Sequence, residues 1–151
     1  MDEKDLIKTL SGLEESLIKL FETARQKQDA LVNNNIKLLE SAVSAEERFI
    51  RNVEKAEKQR ISVLTELNKK YMMNATSLKL NDFLSGAKNK LDERNVAQIL
   101  KIQNRIRKYI VAIESLNQQN QYLIDTARDF IKMTISELVG PQRKSFLDKR
   151  V

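Results

Sequence analysis

The chain contains no cysteine and no histidine. Without cysteine there is no disulfide, no thiolate zinc site and no cysteine nucleophile. Without histidine the usual general base and the commonest metal ligand are missing. A Ser-His-Asp triad, an HExxH zinc site and a di-iron E-x-x-H bundle are therefore excluded. Tryptophan is also absent and aromatic residues make up 5%, too few for the stacking platforms that hold bases. Three glycines and one proline in 151 residues are too few for a β-sandwich or barrel, which needs turn chemistry about every 8–12 positions. No apolar run approaches the ~18 residues of a membrane span. The opening Met1-Asp2-Glu3-Lys4-Asp5 is acidic and lacks the apolar stretch of a signal peptide. These absences lead to the expectation of an all-helical, cytoplasmic protein that is not an enzyme and needs no cofactor and no metal.

What is present fits that class. Hydrophobic residues are 41% and charged residues 32%, enough apolar surface for a core and too much for a disordered chain. The net charge of +6 is uneven: residues 1–36 carry 5 basic and 7 acidic side chains, residues 77–115 carry 8 basic and 4 acidic. The basic stretch holds Lys88, Lys90, Arg94, Lys101, Arg105, Arg107 and Lys108. It reads as a solvated helix face; nucleic-acid binding is not expected, because no recognised module surrounds it and no aromatics interleave.

Apolar spacing divides the chain into three long helices, expected at about 3–32, 36–72 and 92–139. Leu6, Leu10, Leu13, Leu17, Leu20, Ala24 and Leu31 fall on one helical face in the heptad rhythm. Ser11 and Glu14 match a capping box, which with Gly12 suggests a restart inside the first helix. Asn33-Asn34-Asn35 tolerates left-handed backbone and marks a tight turn. The second stripe is Leu39, Val43, Glu46, Ile50, Val53, Glu57, Arg60, Leu64, Leu67 and Tyr71; its charged members imply a seam that is only partly buried. Residues 73–91 form a connector in which Leu78, Leu80, Phe83 and Leu84 make one short amphipathic turn ended by Ser85-Gly86. The third stripe runs Val96, Ile99, Gln103, Ile106, Ile110, Ile113, Asn117, Asn120, Ile124, Ala127, Ile131, Thr134 and Leu138, with Gly140-Pro141 as the stop. The expected fold is an all-α antiparallel hairpin or bundle of three long helices with coiled-coil-like packing. Residues 1–139 would form one domain and 140–151 a flexible tail around Phe146 and Leu147.

Two features point to function. At 1.5 Å per residue the helices measure roughly 45, 55 and 70 Å, so the third should overrun the hairpin from about residue 129. That overrun holds Phe130, Ile131, Met133, Ile135, Leu138 and Val139, and an uncovered apolar helix face is a binding site for a partner helix, the connector or a second copy. Second, Asn117 and Asn120 replace apolar residues at successive seam positions, either to fix register or to serve a partner.

The segment Leu116-Asn117-Gln118-Gln119-Asn120-Gln121-Tyr122-Leu123-Ile124 resembles the L-N-x-x-N-x-x-L-[IL] segment of the FlgN family of flagellar export chaperones. The resemblance extends to the acidic-apolar first helix, the asparagine turn, the Leu38-Leu39 entry to the second helix and the tail Asp148-Lys149-Arg150-Val151. It implies a cytoplasmic type III export chaperone that binds the C-terminal helical segment of hook-filament junction proteins and prevents their premature assembly. In that family the end of the last helix and the tail hold the substrate, which here selects Asn117, Asn120, Ile124, Ala127, Ile131, Ile135, Leu138, Phe146 and Leu147 as partner-binding residues. The export gate is a further implied partner. Val139-Gly140-Pro141 stands where family members carry the Tyr-Gly implicated in docking to that gate. The competing reading is a structural coiled-coil subunit of a homo-oligomeric assembly.

Overall fold

The computed structural model describes residues 2–73 and 79–139. Four helices follow in order: α1 Glu3–Val32, α2 Ile36–Lys70, α3 Leu80–Gly86 and α4 Glu93–Val139. The fold is all-helical. It has one helix more than the three long ones expected, because the short amphipathic turn of the connector forms a helix of its own.

Each helix end has a local cause. The Asp2 side chain accepts from the backbone N–H of Lys4 at 3.0 Å and Asp5 at 3.1 Å, while Asp5 Oδ2 accepts from Asp2 N–H at 2.9 Å. This is a reciprocal capping box, and the Asp5 amide above all holds the Asp2 carboxyl below its ordinary range. The box expected at Ser11 and Glu14 does not form: α1 runs unbroken through Gly12. At the turn, Asn34 takes φ 52° and the Asn35 N–H reaches back to the Ala30 carbonyl at 2.9 Å. The Asn35 side chain then caps α2 by accepting from Leu38 N–H at 3.0 Å. Three asparagines thus end one helix, reverse the chain and start the next.

Helix directions follow from cross-helix pairs. Tyr71 donates to Glu3 Oε1 at 3.0 Å and Lys27 pairs with Glu46 at 3.3 Å, so α2 runs antiparallel to α1. Burial first, then the bond to Glu3, pushes the Tyr71 hydroxyl above its ordinary pKa. Arg105 Nε donates to Glu14 Oε2 at 2.6 Å and Gln28 Nε2 to Gln119 Oε1 at 2.7 Å. Both pairs are separated by 91 residues, so α4 runs parallel to α1 at a constant offset. α1 therefore lies between α2 and α4 and packs on both.

The large core residues gather at one end. Leu6, Leu10, Leu13 and Leu17 of α1 meet Val63, Leu64 and Leu67 of α2 and Ile99, Ile102, Ile106 and Ile113 of α4. α3 closes this end with Leu80, Phe83 and Leu84, and Ala87 and Leu91 follow it into the core. Towards the asparagine turn the buried side chains of the helices are Thr23, Ala24, Ala30, Ala42 and Asn120. These are small or polar, so the apolar core thins in that direction.

Gly12 is exposed, and a Cβ added there meets nothing within 4 Å. Its only contribution to α1 is backbone freedom in the unfolded chain. Gly12→Ala is expected to stabilise the protein by about 0.5–1 kcal/mol, read as a rise of a few degrees in thermal midpoint. A fall would mean that the position carries a contact.

Candidate functional site

The offset between α1 and α4 decides where α4 becomes free. Carried to Val32, it sets the last residue of α1 level with Leu123. Residues Asp125 to Ile131 are all exposed, so the free end begins about one helical turn before position 129. A start at 129 follows only if α2 covers α4 along its whole length, whereas the first residues of α2, Ile36, Lys37 and Leu38, are themselves exposed.

The apolar residues of this end are open to solvent. Phe130 is 63% exposed, Ile131 52%, Met133 53% and Leu138 78%. Ile124 and Ile135 are half-buried and Ala127 is exposed. Phe146 and Leu147 lie outside the described residues. Beside the free end, Val32 and Ile36 at the asparagine turn and Tyr122 on α4 are also exposed, and a cleft joins Gln28, Val32, Gln118, Gln119, Tyr122 and Leu123. These turn residues were missed from sequence. The signal that marks them is a valine and an isoleucine directly flanking a polar turn.

The two asparagines do not share an environment. Asn120 is 1% exposed and its Nδ2 donates to the Ala24 carbonyl at 3.1 Å. Its Oδ1 is buried without a hydrogen-bond partner, a state that costs about 1–3 kcal/mol when no water reaches it. Asn117 is exposed. The cause is a shift of the α4 seam: the residues turned towards α1 are Ile99, Ile102, Ile106, Tyr109, Ile113, Leu116, Asn120 and Leu123, with Tyr109 edge-on to Phe21 at 5.8 Å between ring centroids. The row Gln103, Ile110, Asn117, Ile124, Ile131, Leu138 lies one position further round and leaves Ile110 41% exposed.

That second row borders a groove between α2 and α4 with α1 as its floor. Near the turn it is lined by Leu20 and Lys27 of α1, Glu46 and Ile50 of α2, and Asn117, Asn120, Gln121 and Ile124 of α4. Further along, Glu57, Arg60 and Arg107 line its continuation, with Leu10 and Leu13 beneath. Glu57 accepts from Arg60 Nε at 2.8 Å, and this bond raises the already high pKa of the guanidinium. The charged members of the α2 stripe stand here because the groove admits water.

Among the described residues no acidic cluster is arranged to hold a metal ion, and no helix is long and apolar enough to cross a membrane. The exposed surface can bind by burying apolar area. A protein-family model described as FlgN protein matches residues 1–146. The chain belongs to the FlgN family. FlgN proteins are flagellar export chaperones, a role of binding rather than chemistry. No curated protein and no solved structure matches the chain.

Proposed function

We propose that this FlgN protein is a cytoplasmic type III export chaperone for hook-filament junction proteins. It binds the C-terminal helical segment of its substrate on the free end of α4 and so prevents premature assembly. The observation that carries the reading is the projection of α4 past α1, with Ile131 and Leu138 largely exposed. Ile131, Ile135 and Leu138 follow i, i+4, i+7 spacing, so a single amphipathic helix can engage all three. Ile124 and Ala127 continue the surface towards the hairpin, with Phe146 and Leu147 of the tail as further contacts. A few buried apolar anchors suffice for micromolar to nanomolar affinity once ordering costs are subtracted.

Co-expression of the full chain with hook-filament junction proteins, followed by size exclusion, tests the reading. A co-eluting complex that disappears when the substrate's C-terminal helical segment is deleted is the expected result. Co-elution that survives the deletion, or a junction protein that elutes alone, overturns it. The same exposed face supports a second reading, a permanent homo-oligomer seam, for which sedimentation would give a concentration-independent dimer of the free chain.

A further inference from the structure

We propose that the groove between α2 and α4 reads one polar side chain of the bound helix, with Asn120 Oδ1 as the acceptor that sets the register. This rests on the export-chaperone reading above and assigns that reading a residue-level recognition element. The Ala24 carbonyl requires a donor, so the 3.1 Å contact fixes Nδ2 towards α1 and leaves Oδ1 as the partnerless atom. A carboxamide oxygen only accepts hydrogen bonds. Its complement is therefore a donor, and because Oδ1 has no access to solvent in the free chain, that donor reaches it only as α2 and α4 part around the arriving helix.

The walls narrow the class of donor. Lys27 and Glu46 already pair across the floor at 3.3 Å, both largely buried, so their charges cancel and the groove favours neither sign. Leu20, Ile50 and Ile124 supply apolar surface to the same stretch of groove as Asn120. A lysine placed there would lose its hydration for a single neutral acceptor, which is unfavourable. The side chain that fits is a neutral donor, Ser, Thr, Asn or Gln, set within the apolar face of an amphipathic helix.

Geometry connects this groove to the capture end. Asn117, Ile124, Ile131 and Leu138 follow one another at seven-residue steps, and Asn117 and Ile124 line the groove beside Asn120. A helix laid along the free end of α4 meets the groove as it continues towards the hairpin. Apolar anchors alone tolerate a slip of one turn; one buried acceptor with a single matching donor does not.

The test is titration of the full chain with a synthetic peptide of the C-terminal helical segment of a hook-filament junction protein. Asn120→Leu is expected to keep or raise the thermal midpoint while weakening binding about tenfold. In double-mutant cycles against peptides with each Ser, Thr, Asn or Gln changed singly to Ala, one position should couple with Asn120 and the others should add independently. Asn120→Ala repeats the cycle with a smaller side chain should the leucine disturb folding. Binding by Asn120→Leu equal to or tighter than the original chain, or additivity at every peptide position, overturns the register assignment. If Ile131→Ala with Leu138→Ala still weakens capture about a hundredfold or more in that case, the export-chaperone reading stands alone. A peptide that fails to bind the unaltered chain overturns both.

Discussion

The double substitution Ile131→Ala, Leu138→Ala is expected to weaken substrate capture by at least about a hundredfold and to leave the thermal midpoint nearly unchanged. Removing a large aliphatic side chain from an interface loses on the order of 1.5–3 kcal/mol of transfer free energy. Two such losses correspond to about two or more decades in Kd. Stability should not follow, because Ile131 is 52% and Leu138 78% exposed in the free chain. The separation of the two effects is what makes the result diagnostic. The measurement is one thermal melt and one titration with the C-terminal helical segment of a junction protein. A large drop in midpoint with binding intact would make this segment part of the core and remove the open-face reading.

Leu64→Ala has the opposite profile. Leu64 is fully buried where α1, α2 and α4 meet, and a rigid neighbourhood cannot collapse around the missing methyl groups. The transfer and cavity costs together are about 2–5 kcal/mol, which for a domain of this size lowers the midpoint by roughly 4–20 °C. Met72→Ala is the control, since Met72 is 92% exposed and should leave the midpoint in place. Circular dichroism melts of the two variants decide it. A small change at Leu64 would mean that this end of the bundle is looser than its burial implies.

The contrast between these variants shows which parts of the molecule the sequence makes readable. Helical class is legible because periodic leucines and isoleucines have nowhere else to go in a chain so poor in glycine and proline. The asparagine turn is legible because left-handed backbone at Asn34 needs a residue that tolerates it. The row of α4 that faces α1 is not. Ile110 and Asn117 belong to one heptad row, Tyr109 and Leu116 to its neighbour, and both rows are amphipathic. Only the placement of α1, through Phe21 against Tyr109 and Glu14 against Arg105, selects the second. For the same reason the asparagine pair looked equivalent in sequence yet divides into one buried and one exposed residue. The projecting end of α4 can be estimated from lengths, but its start depends on a register that spacing does not encode.

The uneven core has a consequence for how the molecule opens. Local opening free energy rises with buried apolar contact, so leucine- and isoleucine-rich regions separate last and regions held by alanine and polar contacts separate first. Here the firm end is the one closed by α3, and the end beside the free part of α4 is held by Ala24, Ala30, Ala42, Thr23 and Asn120. Fluctuations that part α2 from α4 therefore start at the turn and fade towards α3, as in a pair of tongs with a fixed rivet. A helix bound there, as proposed above, would meet jaws that yield at small cost, and the rivet would keep the frame to which they return.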